Sequence, residues 1–188
     1  MKSATEILRD EHEAILRMLE ATEQVARRMG SGERVEPQVL DNLLEFFRLF
    51  ADRCHHSKEE DLLFPLLEKK GMPRGGGPIG VMLLEHDHAR GLVGKMAASD
   101  KEYATGDAQS GLRWAAAAMD YVGLLREHIA KENQVLFVMA ERMLTPAEQQ
   151  ELALAFEKIE TEKMGAGTHE RLHAMMDKLL AELQLVGS

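Results

Sequence analysis

Residues 55–65 read HHSKEEDLLFP and residues 128–138 read HIAKENQVLFV, and the two stretches agree at five of eleven positions. The matches are His55 with His128, Lys58 with Lys131, Glu59 with Glu132, Leu63 with Leu136, and Phe64 with Phe137. In each copy the histidine and the glutamate are four residues apart, which stacks them on one face of a helix, where both can reach a single ion or bridge a pair.

Both copies lie within long helical patterns. Pro37 opens one that runs through Leu40, Leu43, Leu44, Phe47, Phe50, Leu62, Leu63 and Leu66 to about Lys70, where Gly71 stops it. The other runs from about Asp107 to Leu144 with Trp114, Met119, Val122, Leu125, Ile129, Leu136 and Met139 inward. Before the first copy, Ile7, Leu8, Ile15, Met18, Leu19 and Val25 form a stripe begun by a Ser3–Glu6 capping box and ended at Gly30 and Gly32. The breaker GMPRGGG at residues 71–77 separates the first copy from a third helix. That helix starts at Pro78, carries Val81, Met82, Leu92, Val93 and Met96, and fades near Thr105. Thr145, Pro146 and Glu148 announce a fifth helix to about Lys163, and a sixth is expected from about Thr168 to Leu185. The fold class expected is all-α: an up-down-up-down four-helix bundle over residues 1–144, with two additional C-terminal helices over 145–188 packed outside it or across its end.

The first and third helices share a shorter repeat, Glu11-His12 and Glu85-His86. Every long helix thus offers a histidine, and the heights agree. His12 lies 17 residues before Met29 and His55 lies 18 after Pro37, while His86 lies 19 before Thr105 and His128 lies 21 after Asp107. At a rise of about 1.5 Å per residue, antiparallel neighbours place all four in one layer. Imidazole nitrogens suit iron, and two carboxylates from opposing helices can bridge two metals and reduce their repulsion. The candidate metal ligands are His12, His55, Glu59, His86, His128 and Glu132.

The remaining composition narrows the function. The net charge is −9, with 32 acidic and 23 basic residues and no basic stripe, so nucleic acid is not an expected partner. The single cysteine, Cys54, excludes a disulfide within the chain. It reads as a buried small apolar residue that points away from the metals. The segment MKSATEILRDEHE has neither a basic region nor an apolar stretch of the secretory kind, and no run approaches a membrane span. A cytoplasmic location and no membrane partner are expected.

The order H, HxxxE, H, HxxxE over residues 5 to 144, with KEE..LFP and KEN..LF around the motifs, resembles the hemerythrin-like HHE cation-binding domains. The resemblance implies that Glu59 and Glu132 bridge two iron ions in an oxo- or hydroxo-bridged di-iron centre. Small diatomic molecules or peroxide are the implied partners. If each iron takes about six ligands, roughly one position per iron stays open. Oxygen-carrying hemerythrins place a further histidine four residues after the third-helix ligand, and here that residue is Arg90. This departure argues against simple oxygen carriage and toward the four-histidine members linked to iron sensing, nitric oxide and peroxide chemistry, or iron-centre repair. Two function classes stay open: a di-iron protein that binds or turns over such a molecule, and a sensing or metal-storage module without turnover.

Three features compete with this reading. His56 and Glu60 form an alternative HxxxE pair, but the repeat selects His55 and Glu59, leaving His56 about 100° away as a solvated or supporting residue. His88, two residues from His86, reads as surface. Residues 169–173, HERLH, fit a zinc-peptidase pattern, yet no histidine follows His173 to complete it. That segment is expected to be a polar helix face, or a lid approaching the metal site.

Overall fold

The computed structural model describes residues 2–185, which form six helices and no strand. α1 is Ala4–Gly30, capped by Ser3, whose side chain accepts from the Glu6 N–H while the Glu6 carboxylate accepts from the Ser3 N–H. α2 covers residues 37–69, α3 is Pro78–Ala104, and α4 covers residues 108–143. α5 covers residues 146–164, started by a Thr145–Glu148 capping box, and α6 is Thr168–Glu182. The sixth helix thus ends before the expected Leu185, and residues 186–188 of the expected extension lie outside the described residues.

Two apolar cores set the direction of each helix. One contains Ala4 and Leu8 of α1, Leu63, Phe64 and Leu67 of α2, Ile79 and Met82 of α3, and Leu136 and Phe137 of α4. The other contains Ile15 to Met29 of α1, Leu40 to Ala51 of α2, Ala89 to Ala97 of α3, and Trp114 to Ile129 of α4. The chain passes from the first core to the second along α1, back along α2, out again along α3, and back along α4. This is an up-down-up-down bundle. The polar residues between the two stretches of each helix, around positions 12, 55, 86 and 128, fall into one layer sandwiched by hydrocarbon. α5 and α6 lie along the bundle, with Leu152 and Phe156 completing the first core and Leu172, Met176, Leu179 and Leu180 the second.

One inward assignment fails: Met119 is exposed, because its neighbour Ala118, about 100° around the helix, occupies the core position; in the third helix Val81 is likewise exposed beside the buried Met82. The hydrogen-bonding pattern also departs from a plain α-helix near the motifs. α2 is π-helical over Phe47–His56 and Glu59–Leu63, and α4 over Glu132–Leu136. In each copy the wide turn opens at the motif glutamate: Phe64 N–H donates to the Glu59 carbonyl, and Phe137 N–H to that of Glu132. Pro65 cannot be the common cause, since the corresponding residue in α4 is Val138. Wide turns of this kind concentrate where side chains are re-aimed for function.

Candidate metal centre

The structure brings all six residues together. His12, His55, Glu59 and Glu132 can each present one donor atom so that all lie within 4.8 Å of one another, and so can Glu59, His86, His128 and Glu132. The two groups share both glutamates. Glu59 Oε1 lies 3.6 Å from His55 Nε2, and its Oε2 lies 3.5 Å from His86 Nε2. Glu132 Oε2 lies 3.1 Å from His12 Nε2 and 3.3 Å from His128 Nε2, and its Oε1 lies 4.0 Å from His86 Nε2. Each carboxylate therefore faces both histidine pairs.

The outward nitrogens are all engaged, and the engagement follows the repeat. His55 Nδ1 donates to Glu11 Oε2 and His128 Nδ1 to Glu85 Oε2, each at 2.9 Å. Lys58 and Lys131 donate to the second oxygens of the same two glutamates. His12 Nδ1 donates to Asn133 Oδ1 at 2.9 Å and His86 Nδ1 to Glu60 Oε1 at 2.7 Å, from equivalent positions of the two copies. A carboxylate accepts only, so it holds the imidazole proton on Nδ1 and leaves the Nε2 lone pair facing inward. The repeated Glu-His pairs and the repeated lysines of the sequence are thus parts of one orienting device. Spacing alone did not reveal it, because each hydrogen bond crosses between helices.

Among the described residues, His86 Nε2 and His128 Nε2 meet only each other in hydrogen-bond geometry, at 3.1 Å, and most of the other inward atoms have no partner. The Nε2 atoms of His12 and His55 and all four carboxylate oxygens of Glu59 and Glu132 are buried without a hydrogen bond. Leaving such groups unpaired costs about 1–3 kcal/mol each, and more when charged. Burial, and then the neighbouring His12, hold the His55 imidazole well below its ordinary pKa, so it stays neutral. Burial and the nearby Glu132 charge push Glu59 well above the carboxylate range. Two carboxylates buried this way between apolar cores cannot both ionise readily without a cation. Lone pairs from neutral imidazoles beside paired carboxylates are the donor set that a divalent transition metal accepts, so the residues fit such ions.

The surrounding residues separate into those near the layer and those outside it. His56, expected to be solvated or supporting, is 2% exposed and stacks on His86. It ends the wide turn Phe47–His56, and its contact with His86 of α3 places it inside. Glu60 lies outside the central layer, shared between His86 and Arg90. Arg90 also binds Asp52 and Asp87 at the bundle surface. His88 is exposed, as expected. Cys54 is buried, and burial pushes its thiol up to about 12. In the HERLH segment Glu170 is exposed, while His169 and His173 pack on Phe50. His169 also approaches Glu11 and Glu160, so the segment abuts a residue that orients His55.

The sequence matches the family described as the hemerythrin HHE cation binding domain over residues 3–140. An iron-sulfur cluster repair protein, YtfE, of Edwardsiella ictaluri is 31% identical over 134 residues, covering 70% of this chain and 58% of that protein. The protein of the same name from Salmonella typhimurium is 40% identical over 90 residues, 46% of this chain and 40% of that one. An uncharacterized protein of Mycobacterium tuberculosis is 24% identical over 163 residues, 87% of this chain and 63% of that one. The chain spans less than two thirds of the length of each of these relatives.

Proposed function

This chain belongs to the hemerythrin HHE cation-binding domain family, and from that premise we propose that His12, His55, Glu59, His86, His128 and Glu132 hold two iron ions. The domain proposed to do so is residues 1–144, with 145–188 as a helical extension packed on it. His12 and His55 would serve one ion and His86 and His128 the other, with Glu59 and Glu132 shared. The observation that carries this reading is the pair of overlapping two-histidine, two-glutamate groups with both glutamates in common. Bound iron would supply electrons and an open position to dioxygen, nitric oxide or peroxide. The protein's own part is to fix four imidazoles through their Nδ1 atoms and to keep the layer between two apolar cores, out of bulk water.

Reaction with these small molecules, in oxidative or nitrosative stress or in repair of iron centres as the YtfE relatives are named for, is the function proposed. The single, buried cysteine supports a cytoplasmic setting. Metal analysis, with optical spectra of the anaerobically reduced protein before and after air, tests it. Protein that retains no iron after anaerobic reconstitution, or whose spectrum ignores air, nitric oxide and peroxide, would refute it.

A second reading, an iron or oxygen sensor or a storage module without turnover, draws on one observation. Glu160 of α5 accepts from Lys58, Lys58 donates to Glu11, and Glu11 accepts from His55. Strain at His55 on metal loss would thereby reach the C-terminal helices. Faster proteolysis of residues 160–168 in metal-free protein, without consumption of peroxide or nitric oxide by the iron-loaded form, would favour this reading.

A further inference from the structure

A fifth imidazole faces the same layer. The His56 ring stacks on that of His86 with centroids 3.9 Å apart and planes 17° from parallel, and it stands edge-on to His128 at 5.9 Å. His56, His86 and His128 can each present one nitrogen so that all three lie within 4.8 Å of one another. Donor atoms at adjacent corners of an octahedron with bonds of about 2.1 Å lie about 3 Å apart; because an imidazole lone pair lies in its ring plane, the His56 ring would turn out of its stack on His86 to aim Nε2 at the same ion.

His56 is also oriented in the same way as the other four histidines. Its Nδ1 lies 3.3 Å from Asp52 Oδ1, and Asp52 is itself held by Arg90 at 2.8 Å. The carboxylate keeps the proton on Nδ1, and Nε2 is buried with no hydrogen-bond partner among the described residues. A histidine used only for packing would not need its outward nitrogen fixed while its inward one stays unpaired. The equivalent position in the second copy is Ile129, so nothing corresponding exists on the His12 and His55 side.

We propose that His56 is a third imidazole ligand of the ion served by His86 and His128, so that the centre is asymmetric, with three histidines on one ion and two on the other. This inference rests on the di-iron reading above and deepens it. Three imidazoles, two shared carboxylates and one oxygen bridge fill the roughly six positions of that ion. An incoming small molecule then binds only at the ion of His12 and His55. The histidine that oxygen carriers place on the third helix is supplied from the second, and Arg90, at the third-helix position, secures it through Asp52. A cavity of about 180 Å³ bordered by His56, Asp52, Ala89, Arg90 and Tyr121 would join the metal layer if the imidazole were removed.

The test loads wild type, His56→Ala, His56→Gln and His55→Ala with ferrous iron, oxidises each, and follows iron content, Mössbauer spectra and azide titration. Wild type should show two unequal iron environments and bind one azide. Both His56 variants should keep about two irons, show environments that converge, and bind a second azide; added imidazole should return His56→Ala to the wild-type spectrum. His55→Ala should lose iron. If the His56 variants keep the wild-type spectrum and azide stoichiometry while His55→Ala loses iron, His56 is no ligand and the di-iron reading stands without it. Wild-type protein that retains no iron refutes the di-iron reading and this inference together.

Discussion

The ammonium of Lys58 lies 2.6 Å from Glu160 Oε1, although no part of the Lys58 side chain reaches solvent. Lys58 also holds Glu11, the carboxylate that orients His55. A buried cation thus joins the C-terminal helices to a proposed metal ligand, whereas its counterpart Lys131 holds Glu85 from a partly exposed position.

Breaking this buried cluster should be costly. Lys58→Met leaves the Glu11 carboxylate enclosed beside the neutral His55 without its buried cation, and should lower the unfolding free energy of metal-free protein by about 3–5 kcal/mol. Glu160→Gln preserves the Lys58–Glu11 pair, and Glu160 is about one-third exposed, so its cost should stay near 1 kcal/mol. Urea denaturation of both variants measures the difference. Equal midpoints would show that the Lys58–Glu11 pair contributes nothing beyond a surface contact.

His55→Ala and His128→Ala should each remove at least one iron per chain, because each takes away an imidazole already fixed by a glutamate. The fold should survive, since both apolar cores are left intact. Iron content with far-ultraviolet circular dichroism provides the check. Unchanged iron in both variants would overturn the ligand set.

Metal-free protein should be stabilised by Glu59→Gln at neutral and alkaline pH. Burial raises the folded pKa of Glu59 well above its unfolded value of 4.5. Such a carboxyl contributes its full stability below the unfolded pKa and loses it as pH rises through the folded one. Glutamine, neutral throughout, avoids that loss. The variant should melt higher than wild type at pH 8, at about 2–4 °C per kcal/mol for a chain of this size, with the gap closing toward pH 4. The same variant should bind iron poorly. A wild-type protein that melts higher at pH 8 without metal would contradict the burial argument.

The reduced, iron-loaded protein should be oxidised by air to a stable form that does not return oxygen. The third-helix position that is a histidine in oxygen carriers is Arg90 here, engaged by Asp52, Glu60 and Asp87, and an imidazole supplied by His56 from the second helix would leave that charged group beside the centre. Stopped-flow spectra followed by degassing test this. An oxygen-dependent band that persists and then bleaches under vacuum would identify a carrier instead.

The helices and the height of the proposed site were legible before any packing was known. A helix rises by a fixed amount per residue, so the repeat at residues 55–65 and 128–138, with His12 and His86, could be placed in one layer by counting from the expected helix ends at Met29, Pro37, Thr105 and Asp107. Caps such as Ser3 and Thr145 were equally legible, because they act within a few residues. The direction in which His56 faces emerged only from the packing of the helices. Counting around an α-helix turns it about 100° from His55, and the packing of α2 on α3 sets its ring against that of His86 in the layer. The acceptors Glu11, Glu85, Glu60 and Asn133 were visible as residues but not as partners of the histidines. Their hydrogen bonds span at least 26 positions of sequence, and such contacts exist only once the helices have packed.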